Sequence, residues 1–250
     1  MASIHAAAVI FGCVFGGALM GIALQSVLPR HHLDSETKDL VKLCVGLVGT
    51  MAALVLGLLV ASTKASYDTH RAEITQIAAD TILLDRVLSQ YGPEAADARA
   101  TLRQAMARVV LGSAPGKAAG AQAEEGRAHA EVIFEKLSAL TPHTDGQRAL
   151  QAQAESLAIS MGQTRWLLFA QRGSSISLPF MVVVVFWLTL LALSFGLFAP
   201  RNGTAVITLL VSALSVAGAI FLILELDQPF SGIMRISEEP LRNALMVLGQ

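Results

Sequence analysis

Charge is scarce in this sequence. Asp, Glu, Lys and Arg make up 15% of its 250 residues, whereas a soluble domain carries about a quarter. The deficit is uneven. Four stretches hold almost no charge and the segments between them are ordinary, which is the pattern of membrane spans joined by aqueous connections. Cysteine is nearly absent: Cys13 and Cys44 both lie in apolar stretches. They form neither a disulfide framework nor a zinc-ligand spacing, and read as small packing residues. There is no basic excess either. The formal net charge is −1, so no nucleic-acid partner is indicated.

Catalytic sets are missing too. The chain has no Gly-rich phosphate loop, no H-E-x-x-H and no nucleophile elbow, so no enzyme, cofactor or metal centre is expected. His31 and His32 are the only paired histidines. Adjacent side chains point to different sides of a helix or strand and chelate poorly, so the pair reads as a surface loop able to respond to pH near neutrality. No Asp, Glu, Lys or Arg lies deep in any apolar stretch. Coupled transporters place ionisable groups there, whereas a passive pore needs none. No internal or inverted repeat is visible. The N-terminus lacks a basic region, so the first apolar run is expected to remain as a helix and not to be cleaved as a signal peptide.

What is present is apolar sequence, with a mean hydropathy of +0.58. The fold class that follows is all-α integral membrane, with four transmembrane helices and a helical aqueous domain between the second and third. The expected divisions are transmembrane helices 1 and 2 over 1–64, the aqueous domain over 65–172, transmembrane helices 3 and 4 over 173–226, and a tail with a short helix over 227–250. The first span, about 7–28, carries Gly12, Gly16, Gly17 and Gly21. Small residues four apart let another helix approach closely. Asp34 is placed to cap a helix that begins at Ser35.

The second span is uncharged over 43–63. Gly46, Gly49, Thr50, Ala53, Gly57 and Ala61 recur at steps of three or four and form one stripe. Leu47, Val48, Leu54, Val55, Leu58 and Leu59 fill much of the remainder. One face suits lipid, and the stripe suits either a pore or close helix packing. No Pro or Gly follows Gly57 until Gly92, so this helix is expected to run on into the aqueous domain. There Ile74, Ile77, Ala78, Thr81, Leu84, Val87, Leu88 and Tyr91 keep helical spacing, and Pro93 can open the next helix.

Residues 112–120 read as a flexible breaker. Two further helical patterns follow, around Val132, Ile133, Leu137 and Leu140, and around Leu150, Ala154, Leu157, Met161, Thr164 and Leu168. A short link at 199–203 makes the third and fourth spans an antiparallel hairpin. Glu225 and Asp227 end the fourth span, where negative charge opposes the helix dipole. Interfacial pairing among Lys64, Glu225, Asp227 and Arg235 is the expected compensation, with Asp227 and either Lys64 or Arg235 the first pair; plain exposure to water is the second reading and a cation site the third. A short helix over about 238–248 closes the chain.

Four spans put the aqueous domain and both termini on one side. Basic residues do not decide which: Arg30, Lys38, Lys42 and Arg201 flank one side, and Lys64, Arg71, Arg165, Arg172, Arg235 and Arg242 the other.

Several passages carry a likeness: Leu28-Pro-Arg-His-His-Leu33, Ser35-Glu-Thr-Lys-Asp39, Leu84-Asp-Arg-Val-Leu88, Tyr91-Gly-Pro-Glu94 and Leu226-Asp-Gln-Pro-Phe-Ser-Gly232, with the apolar run over 52–62. They resemble a bacterial membrane-protein family described as bestrophin-like. The resemblance covers most of the chain. It implies a homo-oligomeric ion channel of the bacterial cytoplasmic (inner) membrane, pentameric by analogy. Its second transmembrane helix would line the pore, its helical domain would be cytoplasmic, and its partners would be the lipid bilayer, further copies of itself and an inorganic ion. The second span has no aromatic neck, and the acidic pair is shorter than the acidic stretch of bestrophins, so ion selectivity and calcium control do not carry over. The competing expectation is a non-conducting membrane scaffold or sensor whose helical domain binds a partner.

Overall fold

The computed structural model describes residues 2–28, 35–112, 119–170, 176, 178–228 and 233–248. The loop with His31 and His32, the capping position Asp34, Arg172 and most of the breaker over 112–120 lie outside the described residues. Among those described there is no strand. The helices are α1 (Ala2–Val27), α2 (Ser35–Tyr91), α3 (Ala96–Gly112), α4 (Ala119–Ser138), α5 (Asp145–Ala170), α6 (Leu178–Phe198), α7 (Gly203–Leu226) and α8 (Glu239–Val247). Of these, α1, α2, α6 and α7 are long and apolar enough to cross a membrane. The chain forms two compact units. One comprises residues 1–67 and 174–235, the other residues 68–173 and 236–250. The single helix α2 contributes to both.

In the first unit the closest packing is between α1 and α6. A Cβ at Gly21 would collide with the backbone at Leu193 and Leu197, and one at Gly196 would collide with the Ala18 carbonyl. At Gly17 a Cβ would come within 2.9 Å of the Thr189 side chain and 3.0 Å of its carbonyl. Contacts that pair Gly17 with Thr189 and Gly21 with Leu193 advance together along both helices, so α1 and α6 run parallel. Backbones this close gain many dispersion contacts, each about 0.1–0.2 kcal/mol, and in lipid such packing is the main source of helix association.

The four glycines of α1 therefore separate. Gly17 and Gly21 form the seam, while Gly12 and Gly16 have nothing within 4 Å of a built Cβ. Ile10, Val14 and Ala18 of α1, Val184, Leu188 and Ala192 of α6, and Ala213 and Ile220 of α7 make the buried cluster. The link between α6 and α7 is as short as the sequence requires. Yet α7 packs chiefly on α1, and its contact with α6 is slight. Among the described glycines of this unit, those at the seam of α1 and α6 are the ones whose Cβ would run into opposing backbone. Cys13 and Cys44 are exposed, so neither serves the packing role expected of it within the chain.

The second unit is built around the C-terminal half of α2. Leu84, Val87, Leu88 and Tyr91 are buried with Ala98, Leu102 and Ala105 of α3, Ile133 and Leu137 of α4, Ala154 of α5, and Leu241 and Ala244 of α8. Gly92 ends α2 at φ +127°, a left-handed conformation that suits glycine. A 3₁₀ turn, Pro93–Ala95, then precedes α3, so Pro93 opens that turn and not the α-helix itself. Leu140 falls just beyond the end of α4.

Polar groups in this unit are mostly matched. Asp85 takes a two-pronged contact from Arg99, at 2.8 Å from Nε and 2.9 Å from Nη2. The hydrogen bond raises the Arg99 pKa above its ordinary value, as expected for a charge-assisted fork. Gln151 Nε2 donates to the Leu137 and Leu140 carbonyls at 2.9 and 3.0 Å, which satisfies acceptors left over at the end of α4. Gln147 Nε2 donates to the Tyr91 carbonyl at 3.1 Å. The buried Asp80 accepts from Gln76 Nε2 at 2.8 Å. Tyr91 differs: its hydroxyl is buried with no hydrogen-bond partner among the described residues.

Two predictions follow from the packing. In thermal unfolding of the purified protein, Gly21→Ala and Gly196→Ala each lower stability by about 1–3 kcal/mol through overpacking. Gly12→Ala stays neutral or gains up to about 1 kcal/mol of helix propensity. In the second unit, Arg99→Met removes the two-pronged contact to the Asp85 carboxylate and costs about 1.5–3 kcal/mol. Tyr91→Phe removes an unmatched hydroxyl from the same core, and the same unfolding measurement finds it no less stable than the parent.

Candidate functional site on the second helix

The membrane-length half of α2 is the least covered of the four apolar helices. Only 6% of its most apolar window is buried within the chain, against 22–28% for the other three. Its faces are distinct. Ala52 and Thr63 are buried, and Val55, Leu56 and Leu59 pack partly against the cluster of α1, α6 and α7. Thr63 sits on this inner face with its hydroxyl donated back to the Leu59 carbonyl at 2.8 Å. A second face carries Leu43, Leu47, Leu54 and Leu58, all more than 60% exposed. Of the six apolar residues expected to fill the remainder of the helix, Leu47, Leu54 and Leu58 thus face outward, while Val48, Val55 and Leu59 are half-buried.

The stripe of small residues makes the third face. Gly46, Thr50, Ala53, Gly57 and Ala61 are all exposed, and Gly49 at the stripe's edge is half-buried. A Cβ at Gly46 or Gly57 would meet nothing within 4 Å, and one at Gly49 would touch only Leu191, at 3.8 Å. Among the described residues the stripe is therefore no packing seam within the chain. Thr50 donates its hydroxyl to the Gly46 carbonyl at 2.9 Å, which leaves the oxygen's lone pairs as the only side-chain acceptor on this face. What the face offers chemically is small volume, helix backbone and one hydroxyl oxygen.

Lys64, Glu225, Asp227 and Arg235 all belong to the first unit. Lys64 is exposed, with its ammonium 5.3 Å from the Tyr67 ring centroid. Asp227 caps α7, its N–H bonded to the Ile223 and Glu225 carbonyls. Arg235 is exposed. Glu225 is only 2% exposed, and its carboxylate accepts the Ile233 backbone N–H at 2.7 Å. This contact supports a carboxylate at a helix end where the dipole opposes it. Spacing alone did not reveal it, because the acceptor meets a main-chain group eight residues on. No cluster of His, Cys, Asp and Glu able to hold a metal occurs among the described residues.

These features define a class: a multi-pass membrane protein without strands among its described residues, with four apolar helices of membrane length and a second helix left uncovered on two faces. The family model of the bestrophin-like domain matches residues 12–241, and the chain belongs to that family. No curated protein and no solved structure matches it.

The Glu225 contact has a measurable consequence. Glu225→Ala leaves the Ile233 N–H without its acceptor and lowers stability by about 1–3 kcal/mol. Limited proteolysis should then cut faster between residues 226 and 236 than in the parent, with Glu225→Gln, which keeps an acceptor oxygen, intermediate.

Proposed function

We propose that this protein is a homo-oligomeric ion channel of the bacterial cytoplasmic membrane, with α2 lining the conduction path and the unit of α3, α4, α5 and α8 in the cytoplasm. One observation carries the reading. The least covered membrane-length helix of the chain turns a stripe of glycine, alanine and threonine away from its own subunit. Lipid tails gain little from such a surface, whereas a helix face made of backbone and one hydroxyl suits water and a partly hydrated ion. The leucine face beside it suits lipid or a neighbouring subunit. The lack of ionisable groups deep in the spans fits passive flux and not coupled transport. Membership of the bestrophin-like family adds an analogy of architecture.

The competing reading, a non-conducting scaffold, uses the same stripe as a seam between copies. Substitution separates them. Gly57→Leu in a seam overfills the contact at about 1–3 kcal/mol and breaks the oligomer. In a pore it leaves the oligomer intact and narrows or dewets the path. The expected outcome is an intact oligomer by native mass spectrometry, with liposome ion flux changed by Gly57→Leu or by Thr50→Val. Wild-type liposomes with no flux above empty ones, for common monovalent ions under varied pH and calcium, would remove the channel reading and leave the scaffold.

A further inference from the structure

We propose that the first unit carries a binding site for the phosphate headgroup of an anionic lipid, at the end where α1 and α6 finish and α7 begins. The site is a cleft of about 420 Å³ between the last turn of α1 and the α6–α7 link. It stands apart from the stripe on α2 and holds whether or not the protein conducts ions. It requires only that the apolar helices span the bilayer.

Arg201 supplies the charge. Its Nε donates to Gln25 Oε1 at 3.1 Å, and Gln25 Nε2 donates in turn to the Ala199 carbonyl at 3.4 Å. The link and the end of α1 thus orient the guanidinium from one side. No acceptor among the described residues takes the Nη1 and Nη2 protons, and no acidic residue lines the cleft. A guanidinium oriented through Nε keeps the paired N–H donors that match phosphate oxygens. Ser26 also lines the cleft, but its hydroxyl is already donated to the Ala23 carbonyl, so it contributes an oxygen and no donor. The start of α7, capped by Asn202 through the Ala205 N–H at 2.8 Å, adds partial positive charge of the same sign.

The rest of the lining identifies the ligand as an amphiphile. Ile22, Ala23 and Val206 make its apolar part, and each belongs to a helix that continues into the membrane. A free anion has no use for that surface, whereas the glycerol and first acyl carbons of a lipid do. Arg201 lies at the end of α6, so a span of this length sets it near the edge of a hydrocarbon layer about 30 Å thick. At that level the guanidinium meets the phosphate oxygens of a lipid headgroup.

Native mass spectrometry of the full-length protein in neutral detergent tests the proposal. The protein is titrated with palmitoyl-oleoyl phosphatidylglycerol and with the phosphatidylcholine of the same chains. The expected result is preferential retention of phosphatidylglycerol, reduced about tenfold or more in apparent affinity by Arg201→Gln. Arg201→Lys, which keeps charge without the fork, falls between. Lys42→Gln serves as control, because Lys42 lies on α2 and is already paired with Asp39 at 2.9 Å; it should keep the preference. Equal retention of the two lipids by the wild type overturns the proposal. So does an Arg201→Gln variant that still prefers phosphatidylglycerol. Displacement of the lipid by inorganic phosphate at millimolar concentration would make this a site for free anions and would also overturn it.

Discussion

The architecture of the membrane-length unit depends on one contact, the near-touching backbones of α1 and α6. Gly17, Gly21 and Gly196 exist at that seam because any side chain would enter the backbone opposite. In a bilayer the helices gain no hydrophobic advantage from meeting, since lipid tails are as apolar as leucine, so close approach decides which helices pair. With α1 committed to α6, and α7 seated on α1, the cluster is satisfied. The second helix then packs at its margin through Ala52, Val55, Leu56 and Leu59. Its other two faces stay uncovered as a consequence of that pairing.

The same helix then changes neighbours. Through residue 63 it is an apolar rod with an exposed stripe, and from about Ala78 to Tyr91 it is the spine of a core shared with α3, α4, α5 and α8. The transition needs no break, because the backbone hydrogen bonds are internal to the helix in either medium. What changes is the side-chain set. Polar groups become admissible where partners exist, as with Asp80 beside Gln76 and Asp85 beside Arg99. One continuous helix thus carries both the small-residue face and the spine of that core.

Much of this was legible in the sequence, for identifiable reasons. Lengths and places of the apolar helices follow from the cost of putting charge in hydrocarbon. The continuity of α2 follows from the absence of Pro and Gly between Gly57 and Gly92. Periodicity placed Leu84, Leu88 and Tyr91 on one side, and the structure buries that side. The stripe on α2 could be read as one face because helical spacing is local. Neighbours were not legible. Gly12 and Gly16 have the same spacing as Gly17 and Gly21, yet only the latter pair meets α6. Which small face finds which partner depends on three-dimensional competition among helices. A short link between α6 and α7 showed their direction but not that α1 would take most of the contact. Glu225 likewise looked like a charge in need of a countercharge. The tail brings it a backbone N–H instead, and no spacing rule contains that.

Neither unit is contiguous along the chain. The first is completed only by residues 174–235, and the second only by residues 236–250, which bring α8 against α3. On the ribosome, α1 therefore emerges with its principal partner, α6, more than a hundred residues away. During that interval Gly17 and Gly21 present bare backbone with nothing to receive it, and the α2 spine waits for the helix that finishes its core. The glycine face of α1 thus stays unmatched within its own chain until α6 has been made.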